Sequence, residues 1–257
     1  MNRYRFDDVA HIHLLDGKPL YGTSTIVGVI SKGSALVWWG CGKALEPLGW
    51  TPTKGKKADR LAAVVEPLAV IKYMTDSDFL KILDECYKNH KKKLDESAVK
   101  GIDMHSMLEM YIKDQMKSIP SSTEYHSQIM PFVNWCKENV QEFLFSEAFC
   151  YSEKLWVGGI ADAGAILKDS STVLIDFKSA KEAYKGHFIQ AAGYALQIEE
   201  NGFFDKDGNI ANPPIVFDKL IVVPFGAEKV EPVFNVEPIG DYKKAFINAK
   251  ELYSFVK

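Results

Sequence analysis

Residues 158–181 read GGIADAGAILKDSSTVLIDFKSAK. Two apolar runs flank the turn Lys168-Asp169-Ser170-Ser171, so the segment reads as a β-hairpin with strands over 159–167 and 172–179. Each strand carries an acid, Asp162 in the first and Asp176 in the second. Val173-Leu174-Ile175, three apolar β-formers directly before Asp176, suggest a central strand buried on both faces. Strand side chains alternate, so Asp176 and Lys178 point to one side and Phe177 to the other. A buried carboxylate needs a compensating charge, a metal or hydrogen bonds. On the hairpin alone, three readings stand: strand-end acids facing solvent, a buried Asp176–Lys178 ion pair, or a divalent-metal site suited to a phosphate ester.

What precedes the hairpin is mostly helical. Residues 1–22 suggest an extended or hairpin segment around Asp16-Gly17-Lys18-Pro19. Thr23-Ser24-Thr25 and Gly33-Ser34 suggest caps for helices over 26–30 and 35–45. A loop is expected over 47–57 and a helix over 58–74, disturbed at Pro67. Thr75-Asp76 caps a helix over 77–98, which Gly101 is expected to break. Helices over 102–117 and from 121–124 to about 140 follow. A strand over 147–155 then leads into the hairpin. A helix over 183–200 closes on Asn201-Gly202, strands follow over 215–224 and 230–236, and an amphipathic helix ends the chain over 241–256.

Two polar pairs stand at helical spacing near the hairpin. His105 and Glu109 are i and i+4, hence on one helix face. They read either as a solvated pair or capped core histidine, or as a nitrogen ligand with a supporting acid. Gln190 and Tyr194, also i and i+4, rise from an otherwise small, apolar helix (Ala191, Ala192, Gly193, Ala195). Small residues suit close packing on a sheet, but this does not account for the amide and phenol. They could hydrogen-bond a phosphate backbone or Lys178. The basic runs Lys54-Gly55-Lys56-Lys57 and Lys88–Lys93 read as solvated faces or as the lining of a polyanion channel. Trp38, Trp39 and Trp50 read as core or as stacking surfaces.

Composition narrows the classes. Of 257 residues, 47% are hydrophobic and 25% charged, ordinary for a globular chain, and the formal net charge of −3 gives no global nucleic-acid signature. No apolar run approaches the ~20 residues that span a membrane, and the first residues lack a signal-peptide core. Cys41, Cys86, Cys136 and Cys150 are too scattered for a zinc ribbon. A cytoplasmic setting with free thiols is expected.

Taken in order, these residues resemble the PD-(D/E)XK nuclease superfamily, in its RecB-like exonuclease branch. GIDMHSMLE resembles the branch's Gly-x-x-x-His-x-x-x-Glu helix, with Gly101, His105 and Glu109. GGIAD resembles its Gly-x-x-Asp strand, with Gly159 and Asp162. IDFKSAK resembles its Asp-x-Lys strand, with Asp176 and Lys178. QAAGYA resembles its Gln-x-x-x-Tyr helix, with Gln190 and Tyr194. The resemblance spans about residues 100–196. More loosely, YGTSTIVGVISKGSALVWWG is similar to the N-terminal segment of phage and mitochondrial genome maintenance exonucleases of the branch.

The resemblance implies an α/β (α+β) fold: a restriction-endonuclease-like core with a central mixed sheet flanked by helices over 101–257, and an N-terminal, mostly helical region over 1–100. It implies a metal-dependent DNA exonuclease of replication, recombination or repair, the alternative being a non-catalytic nucleic-acid-binding module on the same fold. His105, Asp162, Asp176 and the Phe177 carbonyl would hold one or two Mg²⁺ or Mn²⁺ ions. Lys178 would orient the attacking water, Gln190 and Tyr194 would position the strand or Lys178, and Glu109 would fix the His105 tautomer. The implied partner is DNA, as a single strand or duplex end, with no membrane and no oligomeric state implied. Some relatives carry an iron–sulfur cluster on three cysteines after the Gln-x-x-x-Tyr helix. This chain has no cysteine beyond Cys150, so no cluster is expected. The absence of a GxxxxGK[ST] motif points to a stand-alone nuclease.

Overall fold

The computed structural model describes residues 2–30, 35–49, 71–113, 119, 125–226 and 230–256. Lys54-Gly55-Lys56-Lys57, Trp50, the expected cap Gly33-Ser34 and all but the end of the helix expected over 58–74 lie outside them, as do the Trp38 and Trp39 side chains. The chain forms two compact units, Ser31–Lys100 and a larger one in which Met1–Ile30 joins Gly101–Lys257. The first thirty residues cluster with Gly101–Lys257.

In the smaller unit, helix α2 (Ala35–Leu45) runs into a 3-10 turn at Glu46–Leu48. The long helix α3 (Asp76–Lys113) belongs to this unit up to Lys100 and to the larger unit from Gly101, and it begins as expected: the Asp78 N–H donates to Thr75 Oγ1 at 3.2 Å. Phe79, Ile82, Cys86 and Asn89, three and four apart, form its less exposed face. Gly101 does not break α3. An interior glycine costs about 1 kcal/mol relative to alanine, whereas stopping there would leave unpaired backbone groups at two new helix ends.

The larger unit is mixed α/β. Strands β1 (Tyr4–Asp7), β2 (Ile12–Leu15) and β3 (Lys18–Pro19) make a small antiparallel sheet. Asp16-Gly17 is its two-residue turn, and both residues take the positive φ (49° and 74°) that such a turn demands. Then come β4 (Tyr21–Gly22) and the short helix α1 (Thr23–Val27). Thr23 does not cap α1. Its buried hydroxyl donates instead to the Gly158 carbonyl at 3.1 Å.

The main sheet holds β5 (Val140–Ser152), β6 (Val157–Leu167), β7 (Thr172–Lys178), β8 (Phe203–Phe204), β9 (Ile210–Asn212), β10 (Lys219–Pro224) and β11 (Val233–Phe234). Their order is β11-β10-β7-β6-β5-β8-β9, with β4 on β6. β5, β6 and β7 form the expected antiparallel meander, while β10 runs parallel to β7 and β4 parallel to β6. β5 starts at Val140 rather than Glu147, because Val140, Phe143 and Phe145 extend its pairing with β6. β10 and β11 are shorter than the sequence suggested.

Helices cover both faces. The end of α3 and α4 (His126–Asn139) pack on Ile175, Phe177, Ile221 and Val223. On the other face, α5 (Lys185–Asn201) and α6 (Ile239–Val256) are the helices, and Leu174, Leu220 and Val222 share one buried cluster with Phe188, Ala195 and Tyr242. A Cβ on Gly193 would lie 2.4 Å from Phe246, so glycine lets α5 approach α6. Val173, Leu174 and Ile175 are fully buried, as a central strand requires. No helix among the described residues is long and apolar enough to cross a membrane.

Candidate metal centre

The ladder between β6 and β7 runs from Ile166↔Thr172 to Ala163↔Ile175 and stops. The next residues on the two strands are Asp162 and Asp176. In place of the missing ladder bond, Asp162 Oδ2 accepts the Phe177 N–H at 2.6 Å. On its other edge β7 stays paired: Asp176 lies opposite Val222 of β10, and Lys178 opposite Pro224. The sheet is thus split where the two acids face each other.

Asp176 is fully buried. Lys178 Nζ lies 2.7 Å from its Oδ1 and 2.6 Å from its Oδ2. Only the Oδ1 contact has hydrogen-bond geometry, which leaves Oδ2 buried without an aligned donor. Burial pushes the Asp176 carboxyl well above the usual carboxylate range. Lys178 pulls it back and Asp162 pushes it further. Burial also disfavours the Lys178 ammonium, but Asp176 and Asp162 outweigh that and hold it above its ordinary value. Asp176 and Lys178 share a side, as the alternation required. Phe177 turns to the other side, edge-on to Phe132 and stacked on Phe225.

His105, from α3, brings a nitrogen to the acids. Its Nε2 is 3.1 Å from Asp162 Oδ1, and its ring meets Phe177 edge-on at 5.5 Å. Burial disfavours the charged ring, yet Asp162, Glu147 and Glu109 together raise its pKa. The acid within ion-pair reach of Nδ1 is Glu147, at 3.6 Å. Glu109, expected in that role, pairs with Lys113 one turn along α3. One ligand atom each from His105, Glu109 and Glu147 falls within a 4.8 Å cluster.

Sequence reasoning missed Glu147. It lies in β5 between the pairs Ser146↔Ala163 and Ala148↔Ala161, hence across from Asp162, and its φ is +55°. Neither the strand register nor that backbone has a local sequence signature. A groove of about 610 Å³, lined by Ile112, Lys113 and residues 140–146, adjoins it in the chain.

Gln190 and Tyr194 form one unit. The Gln190 amide N–H donates to the Tyr194 hydroxyl at 2.9 Å. Tyr194 is buried, and burial first, then the charges of Asp176 and Asp162, push its pKa well up. Gly159 makes room for it: a Cβ there would lie 2.5 Å from Tyr194 Cε1 and 2.6 Å from Thr23 Oγ1. In the basic run of α3, Lys88 pairs with Asp84 at 2.5 Å and Lys93 with Glu96 at 2.9 Å.

Asp162 meets His105 at 3.1 Å, and Asp176 follows the last rung between β6 and β7 as Asp162 precedes it; among the described residues, the acids and imidazole whose ligand atoms lie within 4.8 Å of one another are His105, Glu109 and Glu147. Two hard carboxylates and one imidazole suit Mg²⁺, with tolerance for Mn²⁺. Asp176 Oδ2 has no aligned hydrogen-bond donor, and the Lys178 ammonium at 2.6 Å is the charge that offsets it. No protein-family model matches the chain, and no curated protein matches it.

Proposed function

We propose that this chain is a Mg²⁺- or Mn²⁺-dependent deoxyribonuclease of the exonuclease kind, acting on a single strand or duplex end. The observation that carries the reading is Asp176: a fully buried carboxylate at the split in the sheet, on the strand next to Asp162, which His105 meets at 3.1 Å. A structural ion pair would need only Lys178. It would not call for a second acid and an imidazole at the same place.

Asp176 Oδ2, Asp162 Oδ1, His105 Nε2 and the Phe177 carbonyl would hold the ion. When bound, it lowers the pKa of a coordinated water and offsets charge on the scissile phosphate. Asp162 divides its labour: Oδ2 is committed to the Phe177 N–H, and Oδ1 faces His105. Lys178 neutralises Asp176 in the ion-free protein and keeps an ammonium within reach of a water or phosphate oxygen. Tyr194, fixed by Gln190, walls the acids and excludes solvent behind them.

The test is cleavage of end-labelled linear and circular DNA with Mg²⁺, Mn²⁺ or EDTA. Linear DNA should be shortened from an end only with the metal present. Asp176→Ala and Lys178→Ala should each abolish cleavage while the fold persists by circular dichroism. Full activity in either variant would sink the assignment. DNA binding without cleavage by the unaltered chain would favour a non-catalytic binding module.

A further inference from the structure

Glu147, like Glu109, is an acid beside His105 that the reading above leaves without a task, and it stands on unusual backbone. Its φ of +55° is a conformation that few non-glycine residues adopt. It occurs inside a strand, opposite Asp162. The side chain reaches the nitrogen of His105 that faces away from Asp162: Nε2 is 3.1 Å from Asp162, and Nδ1 is 3.6 Å from Glu147 Oε1.

We propose that Glu147 is a positioning residue for the metal ligand His105. Its carboxylate, 3.6 Å away, would accept a hydrogen bond from Nδ1–H, which keeps the proton on Nδ1 and leaves the Nε2 lone pair for the ion. This rests on the metal reading given above. The physical basis is general. An imidazole that binds a metal through one nitrogen donates its other N–H to an acceptor, which fixes tautomer and ring orientation and raises ligand basicity. Glu109 is less suited to that task, since Lys113 already engages it. Glu147 Oε1 lies nearer Nδ1 and Asp162 Oδ1 nearer Nε2, so in this role Glu147 orients the ligand through the nitrogen that Asp162 does not meet.

The left-handed backbone provides a test that separates this role from a structural one. Glycine tolerates φ of +55° without strain, so Glu147→Gly relieves the backbone while removing the acceptor. Mn²⁺ binding to the full chain would be measured by calorimetry for the unaltered protein, Glu147→Gly, Glu147→Gln and Asp176→Asn, with urea unfolding of each in EDTA. Glu147→Gly should bind Mn²⁺ about 10–100-fold more weakly, with unchanged stoichiometry and an unfolding midpoint no lower than the unaltered chain. Glu147→Gln, which keeps an oxygen acceptor, should recover much of that affinity.

Binding by Glu147→Gly equal to the unaltered chain, while Asp176→Asn abolishes it, would overturn the positioning role and leave the metal reading standing. Loss of a whole bound ion in Glu147→Gly would overturn it in favour of direct ligation. Absence of Mn²⁺ binding to the unaltered chain would remove both readings.

Discussion

Asp162 accepts the main-chain N–H of Phe177 at 2.6 Å, one residue beyond the last ladder pair of β6 and β7. A side chain there substitutes for a backbone acceptor, so one carboxylate both holds the split strands together and faces His105.

That double duty separates two substitutions. Asp162→Asn keeps an oxygen acceptor for the Phe177 N–H and should cost little stability. Asp162→Ala leaves that N–H unpaired and should cost about 1–3 kcal/mol in urea unfolding. Both should lose metal-dependent cleavage. Equal stabilities would show that the 2.6 Å contact contributes nothing to the fold.

Asp176 and His105 both have folded-state pKa values above their ordinary ones, Asp176 through burial and His105 through the surrounding acids. Groups shifted upward contribute stability that is complete below their unfolded pKa and is lost as pH rises through the folded one. The ion-free site is therefore least favourable above neutrality, where its ligands are also free of competing protons. The rise in melting temperature on adding Mn²⁺ should grow from about pH 6 to about pH 8, and it should vanish in Asp176→Asn. Thermal melts with and without Mn²⁺ check this.

His13 should act with the opposite sign. Burial pushes its pKa down to about 4, and its Nδ1 lies 2.7 Å from the Tyr4 hydroxyl. The unfolded chain takes up a proton that the folded chain resists, so His13 should cost stability as pH falls from 6.5 towards 4. The loss amounts to at most about 3 kcal/mol. Urea midpoints across that range should fall more steeply for the unaltered chain than for His13→Gln.

Gly159→Ala should damage the site without touching a charged group. The new Cβ would meet Tyr194 Cε1 at 2.5 Å, and both the ring and Thr23 behind it are buried. Overpacking of this kind costs about 1–3 kcal/mol. The displaced phenol should also lower cleavage. A variant with native melting temperature and native rate would show that Tyr194 yields freely.

The parts of this molecule legible in the sequence are those that local pattern determines. Val173-Leu174-Ile175 announced a strand buried on both faces, and alternation put Asp176 and Lys178 on one side. Asp16-Gly17-Lys18-Pro19 marked an extended or hairpin segment, and the hairpin is what forms. Long-range pairing was not legible: nothing in residues 219–224 says that they lie parallel to β7. Gly101 misled because a helix end was read from one residue, whereas continuity depends on the turns around it. Glu147 was invisible for a similar reason. Its place follows from the register of β5 against β6 and from one left-handed residue, and the sequence expresses neither.

The split between β6 and β7 has a mechanical consequence. Beyond it, the end of β7 is fastened elsewhere: the Phe225 N–H donates to the Lys178 carbonyl at 2.6 Å, and Gln128 of α4 donates to the Phe225 carbonyl at 2.6 Å. Asp162 instead rides on β6, whose neighbouring residues Ala161 and Ala163 are paired with β5. The two acids therefore follow the last β6–β7 rung, Ala163↔Ile175, and past that rung each strand is held by a different neighbour. The fork is hinged at that rung: opening it would widen the gap between the carboxylates at the expense of the Asp162–Phe177 contact, with the paired residues behind it unmoved.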